Sequence, residues 1–290
     1  MPKRHLTAAQ AFDLRQALHV ATLDALMASR RWEPGDLVFQ GGTSLHLAYG
    51  SPRYSEDLNF LVDSSLNLQS IAAAVQARLE GMSWLVPQGA KLVVSKATDA
   101  RNPHTFVVAI GGPDLIGAVR VKVELWRAPE PSVSAVKTTV SSIRLVSGAA
   151  SGLQTFVPTA ELPELYVDKV FALGARPYLK ARDVFDLHWL VSHDVAGVCT
   201  PQSLRVRLAT YPDETMGAWL VKAQARRAEL ASSADPIEAD LRRWLPSSWP
   251  LTGAAVQSMV QSAISALDDG LRAMRQLEAP SRAEPAGPSS

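Results

Sequence analysis

The sequence predicts an α/β domain over residues 1–155, an all-helical domain over 156–278 and a disordered tail over 279–290. Three observations carry that division. Before residue 150, short β-rich runs alternate with helical stretches, and "AVRVKVELW" sets Val121, Val123 and Leu125 against Lys122 and Glu124 with the period of a half-buried strand. From Thr159 onward nearly every segment carries helical spacing with almost no strand signal. The last residues, "PSRAEPAGPSS", have the composition of a chain that cannot bury a core.

Each element follows from its own residues. "TAAQAFDLRQALHVATLDALMAS" reads as a helix, with Thr7 as its cap and Gln10 completing a capping box. "EPGD" breaks it, and "LVFQ" is a short strand running into Gly41 and Gly42. "SLHLAYG" fits two helical turns ended by Gly50, after which "SPRYSE" is a loop. "DLNFLV" is the next strand and "LQSIAAAVQARLEGM" the next helix. "KLVVSKA", "HTFVVAIGG" and "AVRVKVELW" are strands, and "TTVSSIRLV" adds an edge. The helical half is then read from "AELPELYVDKVFALGA", "YLKARDVFDLHWLVSH", "SLRVRLATY", "TMGAWLVKAQARRAELAS", "PIEADLRRWL" and "GAAVQSMVQSAISALDDGLRAMRQL".

Composition narrows the function classes. No apolar run is long enough to span a bilayer, and the N-terminus has no signal-peptide core, so the expectation is a cytoplasmic protein without membrane contact. Cys199 is the only cysteine, which excludes an internal disulfide and a cysteine-based zinc site. Net charge is +1, which neither suggests nor excludes a nucleic-acid partner. Between Lys91 and Ala150, however, eight Lys or Arg stand against four Asp or Glu, which offers either a phosphate-holding surface or a solvated face. His46, His188 and His193 lack metal-ligand spacing, and Trp126, Trp189, Trp219 and Trp244 read as core.

One stretch, "QGGTSLHLAYGSPRYSEDLNF", carries chemistry. Gly41 and Gly42 open a helix whose free N–H groups and partial positive charge suit an anion, with Thr43 and Ser44 adding hydroxyls. Asp57 and Asn59 then share one face of the next strand, leaving Leu58 and Phe60 to the core. Two oxygen-bearing side chains opposite a phosphate-binding helix start suit Mg²⁺ held against a triphosphate. Glu124 is the candidate third ligand; the competing reading is a surface residue paired with a Lys.

These residues resemble the signature of the AbiEii/AbiGii-type nucleotidyltransferase toxins, which include the MenT-like toxins. "GGTSLHLAYGSPRYSEDLNF" is similar to its first motif, a Gly-Gly-Thr/Ser helix entry followed by an Arg-x-Ser-x-Asp-x-Asp loop and strand. "LYVDKVFALGARPYLKARDVFDLHWLV" is similar to its second, a Lys-bearing helix followed by an Arg-Asp-x-x-Asp-Leu helix. The resemblance implies a DNA-polymerase-β-like nucleotidyltransferase domain whose cleft the helical domain completes. It further implies a toxin of a bacterial toxin–antitoxin pair, moving a nucleoside monophosphate from an NTP to the tRNA 3′ end and so blocking translation. Mg²⁺ or Mn²⁺ is the implied cofactor, and a cognate antitoxin the implied partner.

By position, Gly41, Gly42, Thr43 and Ser44 would hold the triphosphate, and Asp57, Asn59 and Glu124 would ligate the metal. Lys169 would contact phosphates, so its loss should cost activity and little stability; Asp183 or Asp186 would complete the site. Arg182 beside Asp183 reads as a structural ion pair, while Arg176 and Lys180 read as surface charges, with contact to an RNA backbone as the alternative. Asn59 departs from the family, which has a second Asp there, and so removes one charge. That departure motivates the alternative of a non-catalytic nucleotide- or RNA-binding regulator. Ser55 is either a turn former or, by the resemblance, a regulatory phosphorylation site, with Thr43 as the other candidate.

Overall fold

The computed structural model describes residues 4–95, 102–145 and 151–278. The expected tail, and Lys96, Asp99 and Arg101 of the basic stretch, lie outside the described residues. The chain divides into two units: residues up to Leu165 with Asp240–Pro250, and Tyr166–Ala239 with the segment from Leu251 on.

The first unit runs β1 (Arg4–His5), α1 (Ala8–Met27), β2 (Leu37–Gln40), α2 (Gly41–Tyr49), β3 (Asp57–Asp63) and α3 (Leu68–Glu80). It continues through β4 (Lys91–Val94), β5 (His104–Gly112), β6 (Leu115–Ala128), the short α4 (Glu130–Ser134), β7 (Thr138–Arg144) and β8 (Gln154–Ala160), into the start of α5 (Leu162–Ala175). The strands form one mixed sheet in the order β4-β5-β6-β3-β2-β8-β7, with β1 paired to β6. Helix α1 opens on the Thr7–Gln10 capping box and then buries all but Asp24 between Ala17 and Leu26. Its buried side chains join Ile71 and Val75 of α3 in one cluster with Leu58, Phe60 and Val62 of β3 and Val121, Val123 and Leu125 of β6. Alternation along a strand then turns Asp57, Asn59, Lys122 and Glu124 to the opposite face. Each fully buried Phe or Leu in this layer contributes about 1.5–3 kcal/mol.

Strand β8 was not expected, because Pro158 interrupts "LQTFVPTA" and the helical texture begins beside it. The sheet tolerates the proline because β8 touches β2 through the single pair Phe39↔Thr159, while β7 supplies its full ladder on the other side. The expected edge "TTVSSIRLV" is indeed the last strand of the order.

The second unit holds most of α5, then α6 (Ala181–Val191), α7 (Pro201–Thr210), α8 (Met216–Leu230), most of α9 (Ala234–Leu241) and α10 (Gly253–Glu278). Helix α10 packs on α6, α7 and α8. Trp219 is fully buried and donates from its indole N–H to Phe171 O, 2.9 Å. Its ring closes against Gly174 and Gly270, where an added Cβ would stand 2.6 Å and 3.2 Å from ring carbons. Trp219 and Trp189 are both buried core residues. No helix among the described residues is long and apolar enough to cross a membrane.

Candidate active site

In the first unit the site is assembled by strand register. β3 and β6 run parallel with Asp57 beside Lys122 and Asn59 beside Glu124, so all four side chains share one face. On the other flank β2 pairs antiparallel with β3, Gln40 facing Asn59, and the chain turns at once into α2. Gly41 makes that turn at φ 84, a left-handed conformation open to glycine. A Cβ there would lie 3.3 Å from the Asn59 Cβ and Nδ2, so the helix start abuts the Asp57–Asn59 strand.

The start of α2 has no side-chain cap at Gln40 and no acidic residue in its first turn. The hydroxyls expected to hold phosphate are committed elsewhere. Thr43 Oγ1 donates to Asp57 O, and Ser44 Oγ donates to Gly41 O at 2.8 Å. Both residues are fully buried; Thr43 fastens the helix to β3, Ser44 bonds within the first turn of α2, and backbone N–H groups are left as the donors of this helix end. Arg53 is a site residue to which the sequence alone gave no role. It is 2 % exposed, donates from Nη1 to Tyr54 O at 2.8 Å, and sets Nη2 only 2.0 Å from where a Cβ on Gly42 would stand. Its guanidinium therefore adds positive charge to the positive end of a helix dipole. The signal that could have found it is the Arg of "PRYSED", inside the first motif.

The loop between α2 and β3 is held from several sides. His19 Nε2 bonds Glu56 O at 3.1 Å and His46 Nδ1 bonds Ser51 O at 2.7 Å; Gln16 joins the two rings. Burial pushes His19 down to about 4 and also lowers His46, so both rings are neutral near pH 7. Tyr54 N donates to Trp244 O at 2.7 Å. Of the expected phosphorylation candidates, Thr43 is fully buried in α2 and Ser55 is buried in this loop at 8 % exposure.

Lys122 was legible only as the Lys of a surface pair. Its Nζ lies 2.9 Å from Glu124 Oε1 and 3.5 Å from Asp57 Oδ2. Burial lowers its pKa, but the hydrogen bonds and charges of Glu124 and Asp57 outweigh that and raise it above the ordinary value. Asn59 turns its amide N–H toward Asp57 O in a long contact of 3.4 Å, which leaves its carbonyl oxygen as the acceptor. Among the described residues no group of three or more His, Cys, Asp or Glu is arranged to hold a metal. Asp57, Glu124 and Asn59 together set two carboxylates and one amide oxygen on one face, oxygen donors of the hard kind.

The second unit carries the other expected residues, and they bind one another. Lys169 Nζ lies 2.9 Å from Asp183 Oδ1 and 2.6 Å from Asp186 Oδ2. Arg176, expected as a surface charge, pairs with the other oxygen of Asp183. Two cations thus meet two carboxylates, with Asp186 fully buried and Lys169 8 % exposed. Burial lowers Lys180, with Arg176 adding repulsion. The exposed members of the basic stretch do not form one surface: Lys91 lies on β4 and Arg144 on β7, at opposite ends of the strand order.

Similarity to solved structures extends over the whole fold. JHP933 from Helicobacter pylori matches at a TM-score of 0.51 with 18% identity, covering 94% of this chain and 97% of that one. The MenT4 nucleotidyltransferase toxin from Mycobacterium tuberculosis H37Rv matches at 0.55 and 18% identity, over 92% of each chain. No curated protein sequence matches significantly. The expected fold, a nucleotidyltransferase α/β domain followed by helices, is thus shared with the solved MenT4 nucleotidyltransferase toxin. Residues 24–247 match the family described as nucleotidyl transferase AbiEii toxin, type IV toxin–antitoxin system, and the chain belongs to that family.

Proposed function

We propose that this toxin transfers a nucleoside monophosphate from an NTP to the 3′ end of tRNA, with Mg²⁺ as cofactor and a cognate antitoxin as its restraint. The observation that supports the reading is the register of β3 on β6. It gathers Asp57, Asn59 and Glu124 on one face, with the start of α2 against Asn59. A helix start with no side-chain cap, no acidic residue in its first turn and Arg53 beneath it suits an anion, and a triphosphate is one. Gly42 lets the Arg53 guanidinium close on this helix start, since a Cβ there would stand 2.0 Å from Nη2. Asp57, Glu124 and the Asn59 carbonyl would hold the divalent cation, which supplies charge neutralisation for the phosphates. The acceptor hydroxyl attacks the α-phosphorus, its bond forming as the bond to pyrophosphate breaks and its proton passing to solvent. The residues contribute mainly position and electrostatics, the terms that dominate phosphoryl and nucleotidyl transfer. Lys169, Asp183 and Asp186 remain proposed site residues.

The experiment is incubation with each α-labelled NTP, Mg²⁺ and total tRNA. Label on RNA, lost in Asp57→Ala, is the expected result. No label with any NTP would favour the second reading, a nucleotide- or RNA-binding regulator. That reading is motivated by Asn59, which leaves two carboxylates where the resemblance implies three.

A further inference from the structure

The alternation that sets Glu124 beside Asn59 also sets Lys122 beside Asp57. The ammonium reaches both carboxylates at once, at 2.9 Å and 3.5 Å. A cation bound by Asp57 and Glu124 would draw on the field that Lys122 already occupies, and like charges at contact distance repel strongly. We propose that Lys122 is a resident counter-ion of the site, holding the two carboxylates until a metal–nucleotide complex arrives and its ammonium turns onto the phosphates. This rests on the reading of Asp57 and Glu124 as metal ligands.

Local charge favours that order. Two carboxylates and one ammonium leave a single negative charge, which holds a free divalent cation more weakly than two would. A nucleotide triphosphate brings enough negative charge to accept both the metal and the lysine, so the two ligands enter together. The side chain is built for the exchange. It is 40 % exposed, so its ammonium lies at the solvent margin on a flexible four-carbon stem. Asn59 belongs to the same balance, because its neutral amide does not add the charge that would hold metal without nucleotide.

The test is Mn²⁺ binding without nucleotide, followed by the loss of the free-ion paramagnetic resonance signal. Lys122→Met should bind Mn²⁺ roughly tenfold tighter than the natural protein, the equivalent of one charge-assisted contact released. Lys122→Gln should do the same, Lys122→Arg should not, and adding Asp57→Ala to Lys122→Met should abolish the gain. Circular dichroism checks that each variant is folded. Equal Mn²⁺ affinity in the natural protein and Lys122→Met, with binding still lost in Asp57→Ala, would overturn the counter-ion role and leave the metal site standing. Binding that ignores Asp57→Ala in every variant would overturn the metal site and this inference together.

Discussion

Lys169 is the residue for which burial changes the expectation most. Read as a phosphate contact, it should be removable at the expense of activity alone. In the structure its ammonium joins Asp183 and Asp186 at 2.9 Å and 2.6 Å, with those carboxylates 3 % and 0 % exposed. Removing one partner of a buried ion pair leaves an uncompensated charge and costs about 3–5 kcal/mol. Arg176 still faces Asp183, whereas Asp186 loses its 2.6 Å contact with Lys169 in a fully buried position. Lys169→Met keeps the stem packed and deletes only the charge, so it isolates this effect from lost volume. A loss of that size lowers the melting temperature by about 10 °C in a domain of this size. Differential scanning calorimetry of the natural protein, Lys169→Met and the double variant Lys169→Met/Asp186→Asn measures it. The double variant should recover much of the loss, because the excess buried charge is gone. If Lys169→Met melts within about 2 °C of the natural protein while losing nucleotide transfer, the pairing has no structural weight and the reasoning is wrong.

The remaining predictions are smaller. Asn59→Asp restores a third charge and should tighten Mg²⁺ binding and raise activity at low Mg²⁺; a Mg²⁺ titration with no gain would remove the charge deficit as the cause. Gly42→Ala places a Cβ 2.0 Å from Arg53 Nη2 and should cost about 1–3 kcal/mol by overpacking, with weakened NTP binding, as read by denaturant unfolding and nucleotide titration. Ser55→Asp should lose activity while Ser55→Ala keeps it, since charge in the buried loop opposes a triphosphate; full activity of Ser55→Asp leaves Ser55 a turn residue. His19 has its pKa lowered to about 4 from 6.5, so the unfolded chain takes up the proton first as pH falls. Its contribution to stability is whole above pH 6.5 and shrinks below it, by about 2 kcal/mol at pH 5. Urea unfolding at pH 7.5 and 5 should show that loss in the natural protein and a smaller one in His19→Gln.

How much of this was legible before the structure depended on whether a residue's role is set along the chain or across it. The capping box of α1 and the strand carrying Asp57 and Asn59 are local patterns, and both stand where the sequence put them. Strand β8 was missed because Pro158 is a breaker in any local reading, and only the sparse pairing with β2 makes it acceptable. The candidate site divides in the same way. That Lys122 and Glu124 share a face follows from their spacing of two; that they meet Asp57 and Asn59 follows from the parallel register of β6 on β3, which no local pattern encodes. Arg53 lies in a motif, but its position under Gly42 depends on how the loop closes over α2. Sequence chemistry assigned metal ligands by the oxygens they carry and phosphate ligands by the charges they carry. Cations such as Lys122 and Lys169 were therefore given to the substrate or overlooked, whereas in the fold each is first claimed by the nearest carboxylate. An ammonium has three donors, so one already held by two carboxylates turns fully onto a phosphate only by giving a partner up. Lys122, at the solvent margin, can do so, and Lys169, buried between two aspartates, must break the pairing that holds α5 to α6.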